Sequence, residues 1–351
     1  LMGGTTPAKQ YILEALEAGK QVVTANKDLL AEYGEEVMGM ADKMHADLQF
    51  EAAVAGAIPI IRPLKQSMAG NNITEIIGIV NGTTNYILTK MTESGMNYKD
   101  ALAKATELGY AEADPTADVE GYDAGRKMAI MSSIAFNSRV TFNQVYTEGI
   151  TKITAEDIKY AKEFGYVIKL LGLARNTPDG IEVKVHPMLI DENHPLATVR
   201  DSFNAVFVHG DAVEDAMFFG RGAGELPTAS AVVGDVFDIV RNILAGCCGR
   251  IGCTCYKNIP VKKMEDTHNR YFLRLKVEDR CGVLAEMTAI FAKYQVSVAQ
   301  IIQKDTKVEG CAEVVVITEK VREGDFRTAI EELRNRDSVR KISTIIRVYG
   351  K

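Results

Sequence analysis

The spacing of apolar residues at the start of the chain predicts alternating helix and strand. Residues 8–18 carry apolar side chains at helical intervals and end at Gly19, a residue suited to a helix C-cap. Residues 21–25 form a short apolar run that predicts a strand, and residues 26–28 begin another helix. A turn, a helix, a strand and a helix in this order are typical of the later half of a doubly wound α/β unit. We therefore expect residues 1–49 to be the C-terminal part of a Rossmann nucleotide-binding domain.

The middle of the chain, residues 50–227, mixes strand and helix patterns and predicts an α+β domain. Residues 50–54 resemble a strand that a glycine and a proline interrupt. A long helix rich in small residues is expected at 228–244, because Pro227 directly before it suits a helix start. The other predicted elements are strands at 73–80, 181–188 and 204–210, and helices at 60–68, from 81–84 to about Met91, and at 98–108.

A change of composition indicates a separate C-terminal domain. Gly, Cys, Lys and Asn dominate residues 246–269, which predicts a linker with a short strand near 253–257. The pattern then gives strands at 271–277, 296–303, 312–318 and 341–348, and helices at 283–294 and 324–335. The order βαββαβ over residues 270–351 predicts a ferredoxin-like fold.

Composition narrows the class of protein. The 351 residues are 46% hydrophobic and 25% charged, with a net charge of −6, which argues against a nucleic-acid partner because such surfaces are basic. No apolar run approaches the roughly 20 residues of a membrane span, so no membrane partner is expected. Six cysteines in this length are too few for a secreted disulfide scaffold, so we expect a cytoplasmic protein.

The first residues predict that the chain is part of a longer protein. Residues 1–7, Leu-Met-Gly-Gly-Thr-Thr-Pro, resemble the end of a strand, a glycine turn and a helix start. The Gly-x-Gly-x-x-Gly turn that binds a dinucleotide pyrophosphate is missing, because the glycine cluster at 220–224 has Glu225 in place of the third glycine.

Residues 109–127 combine five carboxylates and one lysine within a Gly- and Pro-containing loop that leads into a helix. Asp123 and Lys127 are at i and i+4 and share a helix face. Glu112 and Asp118 lie in the loop before them. This spacing favours a pocket for a substrate that carries an ammonium group, with a lysine as proton donor. The alternative is a surface salt bridge between Asp123 and Lys127.

Five segments of the chain resemble homoserine dehydrogenase. They are 22–27 (VVTANK), 51–60 (EAAVAGAIPI), 81–85 (NGTTN), 109–127 and 220–229 (GRGAGELPTA). The tail from Arg270 resembles an ACT regulatory domain. The resemblance implies reduction of L-aspartate 4-semialdehyde to L-homoserine with NADPH or NADH, on the pathway to threonine and methionine. It also implies a catalytic and dimerisation domain at 50–227, a helix at 228–245 that completes the nucleotide-binding domain, and a homodimer or homotetramer.

The resemblance also implies roles for the acidic segment. Lys127 is the expected proton donor to the new alcohol, and Glu112 and Asp123 hold the substrate or orient the lysine. Asp118 is a weaker candidate for the substrate amino group.

Cofactor contacts are expected at several glycine turns and at one lysine. Lys27 follows the end of a strand, where it can reach nicotinamide, ribose or substrate, and it is the second candidate for the proton donor. The expected backbone contacts to NADP or NAD are Gly4, Thr5, Gly109 and Gly222. A surface lysine, tight turns and close helix packing are the alternative explanations.

Two further ligands follow from the resemblance. The carbonyl groups of Glu51, Val54, Gly56 and Ile58 are expected to bind Na+, and the alternative is a strand end with a bulge. The loop at 279–284 is expected to recognise an amino acid, with threonine as the effector, and the alternative is a plain turn. The cysteines at 247–255 lack zinc-site spacing and are expected to be ordinary thiols.

Two other functions stay open on the sequence alone. The chain could be a catalytically inactive fragment that binds an amino acid or oligomerises. It could also be a related dehydrogenase that acts on another amino-acid aldehyde.

Overall fold

The computed structural model describes residues 1–305 and 310–350. The chain divides into two compact units. The N-terminal unit consists of Leu1–Lys152, Leu170–His186 and Thr198–Val261, and the C-terminal unit of Ile153–Lys169, Pro187–Ala197 and Lys262–Lys351.

Helices and strands are interleaved along the described residues. The helices are α1 (Ala8–Glu17), α2 (Lys27–Lys43), α3 (Gly82–Ser94), α4 (Tyr98–Glu107), α5 (Thr116–Val119), α6 (Tyr122–Ala135), α7 (Ala155–Glu163), α8 (Glu225–Ala245), α9 (Val283–Lys293) and α10 (Glu323–Arg334). The strands are β1 (Val22–Val23), β2 (Leu48–Gln49), β3 (Ile73–Ile79), β4 (Tyr146–Thr147), β5 (Tyr166–Thr177), β6 (Gly180–Asp191), β7 (Phe203–Gly210), β8 (Glu214–Arg221), β9 (His268–Glu278), β10 (Val298–Asp305), β11 (Cys311–Thr318), β12 (Val321–Arg322) and β13 (Val339–Val348).

The N-terminal unit contains the expected part of a doubly wound fold. Strands β1 and β2 are parallel, and α1 and α2 precede and separate them. The Asn26 side chain accepts a hydrogen bond from the Leu29 backbone N–H at 3.0 Å, which explains why α2 begins at Lys27.

An antiparallel sheet and one buried helix form much of the rest of the N-terminal unit. Strand β3 pairs with β5 and with β7, and β7 pairs with β8. Helix α6 is buried along almost its whole length, because small residues such as Ala124, Gly125 and Ala129 allow neighbours to approach. A Cβ atom at Gly125 would lie 2.8 Å from the Phe142 ring and from the Thr147 side chain. This helix therefore fixes the positions of the side chains at its first turns.

The C-terminal unit has the predicted ferredoxin-like fold. Its strands lie in the order β10-β11-β9-β13, all antiparallel, with helices α9 and α10. Alternate residues of β9, Tyr271, Leu273, Leu275 and Val277, are buried in one apolar cluster with residues of both helices. The prediction of βαββαβ is confirmed, and the fold class as a whole is confirmed.

Three predictions of local structure are wrong. Residues 50–54 contain a 3-10 helix, Glu51–Ala53, rather than a strand, because the buried Glu51 carboxylate turns the chain back to bind later backbone N–H groups. The long helix begins at Glu225, before Pro227, since the first turn of a helix tolerates proline. Near 253–257 the described residues form no strand, and their one pairing is an isolated bridge between Lys257 and Ser138.

A buried arginine connects α7 to β9 inside the C-terminal unit. The Arg274 guanidinium lies 2.8 Å from an Asp157 carboxylate oxygen and 2.8 Å from a Glu313 carboxylate oxygen. The side chains of Arg274 and Asp157 are only 3% and 0% exposed. Pairing is therefore what makes these buried charges tolerable.

We predict that Arg274→Met strongly destabilises the C-terminal unit. Removal of the guanidinium leaves Asp157 and Glu313 buried without their counter-ion, at a cost of about 3–5 kcal/mol. Denaturant unfolding followed by circular dichroism measures the loss. The matched control is Arg280→Met, which removes an exposed pair with Glu278 and should change stability little. Equal stability of the two variants would contradict the prediction.

Candidate active site

One carboxylate at the start of α6 is shared by two lysines. Lys127 Nζ lies 2.7 Å from Asp123 Oδ2, and Lys27 Nζ lies 3.2 Å from Asp123 Oδ1. Asp123 is 7% exposed and Lys127 is 9% exposed. The predicted i, i+4 contact is therefore present, and it lies in a buried cluster rather than on the surface.

Groups at the end of β3 orient this cluster. The Lys127 ammonium also donates to the Val80 carbonyl at 2.7 Å. The Asn81 side-chain amide donates to Asp123 Oδ2 at 2.9 Å and to Asp118 Oδ1 at 2.7 Å. Because the Asn81 Oδ1 atom also caps α3 by accepting from the Thr84 N–H, the amide has a fixed orientation.

The charges of the cluster follow from its surroundings. Burial alone would raise the pKa of Asp123, but the Lys127 and Lys27 ammonium groups lower it to about 2. Burial lowers the pKa of Lys27, and the attraction of Asp123 more than reverses this, so the pKa lies above its usual value. Burial raises the pKa of Asp118, with Asn81 opposing the shift. At neutral pH Asp123 is therefore an anion and Lys27 a cation.

Two acids of the loop before α6, Glu112 and Asp114, are exposed. Glu112 is exposed, and within the described part of the chain its carboxylate makes no hydrogen bond or ion pair. The Asp114 carboxylate accepts from the Thr116 N–H at 3.1 Å, which fits a role in the turn. Gly109 has φ +74°, and the space where a Cβ would be is open. The structure therefore brings Asp118 and Asp123 together and leaves Glu112 free to contact a ligand.

A turn at the start of the chain is tied to the beginning of α2. The Asn26 Nδ2 atom donates to the Met2 carbonyl at 2.9 Å and to the Gly4 carbonyl at 2.6 Å. Gly4 has φ +70° with open space at its Cβ position. Because Lys27 follows Asn26, the glycine turn is attached to the residue next to the lysine that pairs with Asp123. Sequence reasoning assigns no role to Asn26 or Asn81, although both stand at helix starts where an asparagine cap is expected.

The remaining predicted glycines make a tight backbone contact. A Cβ atom at Gly56 would lie 2.6 Å from the Gly222 carbonyl carbon. A Cβ atom at Gly222 would lie 1.9 Å from Asn204 Nδ2. Asn204 is 1% exposed, and neither polar atom of its side chain has a hydrogen-bond partner among the described residues. Sequence reasoning does not find Asn204, because an asparagine in a strand carries no distinctive spacing.

The loop at 51–58 leaves several carbonyl groups unbonded. Val54 and Ile58 are 0% and 1% exposed, and Gly56 is buried. No described N–H or O–H group donates to the carbonyl oxygens of these three residues, whereas the Glu51 carbonyl accepts a bond of 3.4 Å from the Val54 N–H. Buried carbonyls without partners are costly, and hard cations prefer such oxygen ligands. Among the described residues no group of three His, Cys, Asp or Glu side chains is arranged for a metal.

Part of a doubly wound α/β unit together with a buried lysine and carboxylate cluster is typical of a nicotinamide-dependent oxidoreductase, and the ferredoxin-like fold adds a separate C-terminal domain. Comparison with known families identifies the particular one. Residues 59–237 match "Homoserine dehydrogenase", residues 2–51 match "Homoserine dehydrogenase, NAD binding domain", and residues 271–337 match "ACT domain". The chain belongs to the homoserine dehydrogenase family.

Individual relatives agree with this assignment. The chain is 46% identical to homoserine dehydrogenase of Neisseria gonorrhoeae, over 99% of this chain and 81% of the relative. It is 42% identical to that of Bacillus subtilis, over 100% and 81%. The solved homoserine dehydrogenase of Thiobacillus denitrificans superposes with a TM-score of 0.94 at 42% identity, over 99% of this chain and 81% of that one. A hyperthermophilic archaeal homoserine dehydrogenase in complex with NADPH has a TM-score of 0.59 at 29% identity, over 67% and 68%.

These findings confirm the predicted family, the enzyme class and a nicotinamide cofactor, and they do not favour an inactive fragment. The ACT domain in the tail is confirmed as well. Within the described residues, no helix is both long and apolar enough to cross a membrane.

We predict that Asp123→Asn lowers stability in a pH-dependent way. The pKa of Asp123 is about 2 in the folded protein and 3.8 ordinarily, so its ion pairs stabilise the fold above about pH 4 and are lost as the pH falls towards 2. The variant should lose about 2 kcal/mol of unfolding free energy at pH 6, and the difference should shrink below pH 4.

Urea unfolding of both proteins between pH 2 and pH 7 measures this difference. Asp114→Asn is the matched control, because the Asp114 carboxylate is exposed and bonds only to Thr116; these bonds lower its pKa, but solvent screens their effect on stability. A difference that stays constant across the pH range would contradict the assigned pKa.

Proposed function

We propose that this chain catalyses the reduction of L-aspartate 4-semialdehyde to L-homoserine, with Lys127 as the proton donor. The bound nicotinamide supplies the hydride. The new alkoxide needs a proton at once, and an ammonium held beside the reacting carbon supplies it. The observation that carries this proposal is the position of Lys127, a buried ammonium fixed by Asp123 at 2.7 Å and by the Val80 carbonyl at 2.7 Å.

Lys27 is the second candidate for this step. It contacts the same carboxylate at 3.2 Å, but its side chain is 35% exposed, against 11% for Lys127. A shielded donor transfers its proton to substrate with less competition from water. Lys27 is therefore proposed to bind cofactor or substrate, and its charge helps to keep Asp123 ionised.

Carboxylates around the cluster are proposed to hold the substrate ammonium group. Glu112 is exposed and unpaired within the described residues, and Asp118 lies beside Asp123 through their shared Asn81 donor. Asp123 itself is occupied by two lysines, so its main proposed role is to orient Lys127.

Glycine turns are proposed to contact the cofactor. Gly4 and Gly109 have left-handed backbone and open space at their Cβ positions, which suits the close approach of a flat ring or a phosphate. Thr5 follows Gly4, and Gly222 lies just before the start of α8 at Glu225, where free backbone N–H groups favour polar ligand atoms.

We predict that Lys127→Ala lowers kcat by about 10²- to 10⁴-fold, because the proton must then come from water. NADPH oxidation that depends on aspartate semialdehyde measures the rate, and circular dichroism verifies the fold. The matched control is Lys104→Ala, which removes an exposed lysine paired with Glu107 and should leave kcat unchanged. Lys27→Ala should raise KM more than it lowers kcat. If Lys127→Ala keeps its kcat and Lys27→Ala loses it, the proton-donor role passes to Lys27.

The loop at 51–58 is proposed to bind Na+ through carbonyl oxygens of Glu51, Val54, Gly56 and Ile58. The support for it is that residues 54, 56 and 58 are buried and that no donor in the described part of the chain bonds to their carbonyl oxygens. Left-handed backbone at Ala55 and Gly56, with φ +56° at each, curves the chain between them.

We predict that Na+ raises the melting temperature by a few degrees relative to choline at equal ionic strength, because a ligand of the folded state stabilises it. Differential scanning calorimetry measures the shift without any need for turnover. The same melting temperature in both salts at high concentration would exclude the site.

The C-terminal unit is proposed to bind an amino-acid effector. The turn before α9, with Gly282 at φ +92°, is the proposed binding site for threonine. Titration calorimetry tests this, and the absence of any binding heat at millimolar threonine would contradict it.

Strand β8 is the proposed contact between copies of the chain in a homodimer or homotetramer, because it presents the exposed apolar residues Met217 and Phe219. Sedimentation as a monomer at micromolar concentration would exclude that contact.

A further inference from the structure

Two cysteines on the segment after α8 lie against the helices that carry the active-site lysines. The Cys255 sulfur lies 3.4 Å from the Ser133 carbonyl oxygen of α6. The Cys253 backbone N–H donates to the Asp42 carboxylate of α2 at 3.1 Å. Next to Cys253, Gly252 has no room for a side chain, since its Cβ would lie 2.2 Å from Asp42 Oδ1. The segment is therefore closely fitted to both helices.

The side chains of Cys253 and Cys255, one residue apart in the sequence, interact with each other. Both the thiol and the backbone N–H of Cys255 donate to the Cys253 sulfur. A hydrogen bond between the two side chains requires the two sulfurs to face each other, which is the arrangement that a disulfide between them needs.

The surroundings favour a thiolate at Cys253. A small cavity of about 20 Å³ borders both cysteines, and Lys65 and Arg139 line it together with apolar side chains such as Phe50. No described carboxylate pairs with the Lys65 ammonium, which lies 5.6 Å from the Phe50 ring centroid. The pKa of Cys253 is lowered to about 6, first by the bond from Cys255, with Lys65 assisting and burial and Asp42 opposing.

We propose that Cys253 and Cys255 form a redox-active dithiol that a small hydroperoxide such as hydrogen peroxide converts to a disulfide. The cavity has room for only about one or two molecules of the size of water, which favours hydrogen peroxide over a bulky disulfide as the oxidant.

Oxidation proceeds in two balanced steps. The Cys253 thiolate attacks one peroxide oxygen, the O–O bond breaks, and protonation of the leaving hydroxide gives water and a sulfenic acid at Cys253. The Cys255 sulfur then attacks the Cys253 sulfur, an S–S bond forms, and the sulfenic hydroxyl leaves as a second water with the Cys255 proton. Two electrons pass from the two thiols to the peroxide. The hydrogen bond to Cys253 raises the pKa of Cys255. When Cys253 becomes a sulfenic acid in the first step, its thiolate charge is lost, and Cys255 can then give up its proton more easily.

The test follows alkylation of each cysteine in the full chain by iodoacetamide as a function of pH, read by peptide mass spectrometry. A low thiol pKa also lowers intrinsic nucleophilicity, so the rate at pH 7 gains only a few-fold and the midpoint pH is the better measure. We expect a midpoint near pH 6 for Cys253. Cys248 is the internal control, because burial raises the pKa of its thiol. A midpoint for Cys253 as high as that for Cys248 would overturn the proposal.

Peroxide treatment tests the formation of the disulfide. The wild-type chain should form a Cys253–Cys255 bond that dithiothreitol reverses. In Cys255→Ala the sulfenic acid should persist at Cys253, where dimedone captures it, and the midpoint should rise because the S–H donor is lost. If exposed Cys281 is oxidised faster than Cys253, or if Cys255→Ala gives no dimedone adduct at Cys253, the site is not a redox dithiol.

Discussion

The sharing of Asp123 by Lys27 and Lys127 is the interaction on which the geometry of the candidate active site depends. Three charged side chains meet in a mostly buried place, and burial of any one alone would be expensive. Their mutual pairing fixes the start of α2, the first turns of α6 and the end of β3 relative to one another. The geometry of the candidate site and its local stability therefore rest on the same contacts, and the net charge of the three side chains is +1 when both lysines are protonated.

How much of this cluster the sequence predicts depends on distance along the chain. Asp123 and Lys127 are neighbours on one helix, so their spacing alone predicts the contact. The Lys27 contact joins residues far apart in sequence, and the position of Lys27 after a strand end, together with the family resemblance, predicts a lysine near the ligand but not its bond to Asp123. Asn81 is recognisable as a helix cap, but its bonds to Asp118 and Asp123 arise from tertiary structure, which no local pattern contains.

The same reasoning explains which elements are predictable. The ferredoxin-like tail is predictable because an apolar residue recurs at every second position of a strand, as in Tyr271, Leu273 and Leu275 of β9. Residues 50–54 are apolar enough for a strand, but the Glu51 carboxylate inside this segment accepts from the backbone N–H groups of residues 60–62, a contact that no local pattern contains. Strand β8 escapes prediction because its residues are largely exposed, so that it lacks a strong apolar pattern.

The glycine contact between Gly56 and Gly222 joins two sites that lie far apart in the sequence. On one side of it are the carbonyls at 54, 56 and 58, and on the other is the buried amide of Asn204; within the described residues none of these groups has a hydrogen-bond partner. Neither glycine can carry a side chain without displacing the other loop or Asn204. The Ala57 N–H also donates to the Arg221 carbonyl at 3.1 Å, so the two loops are joined by a hydrogen bond as well as by close packing. A cation held by the first loop would therefore act on the backbone that precedes α8, and the position of Gly222 depends on both loops.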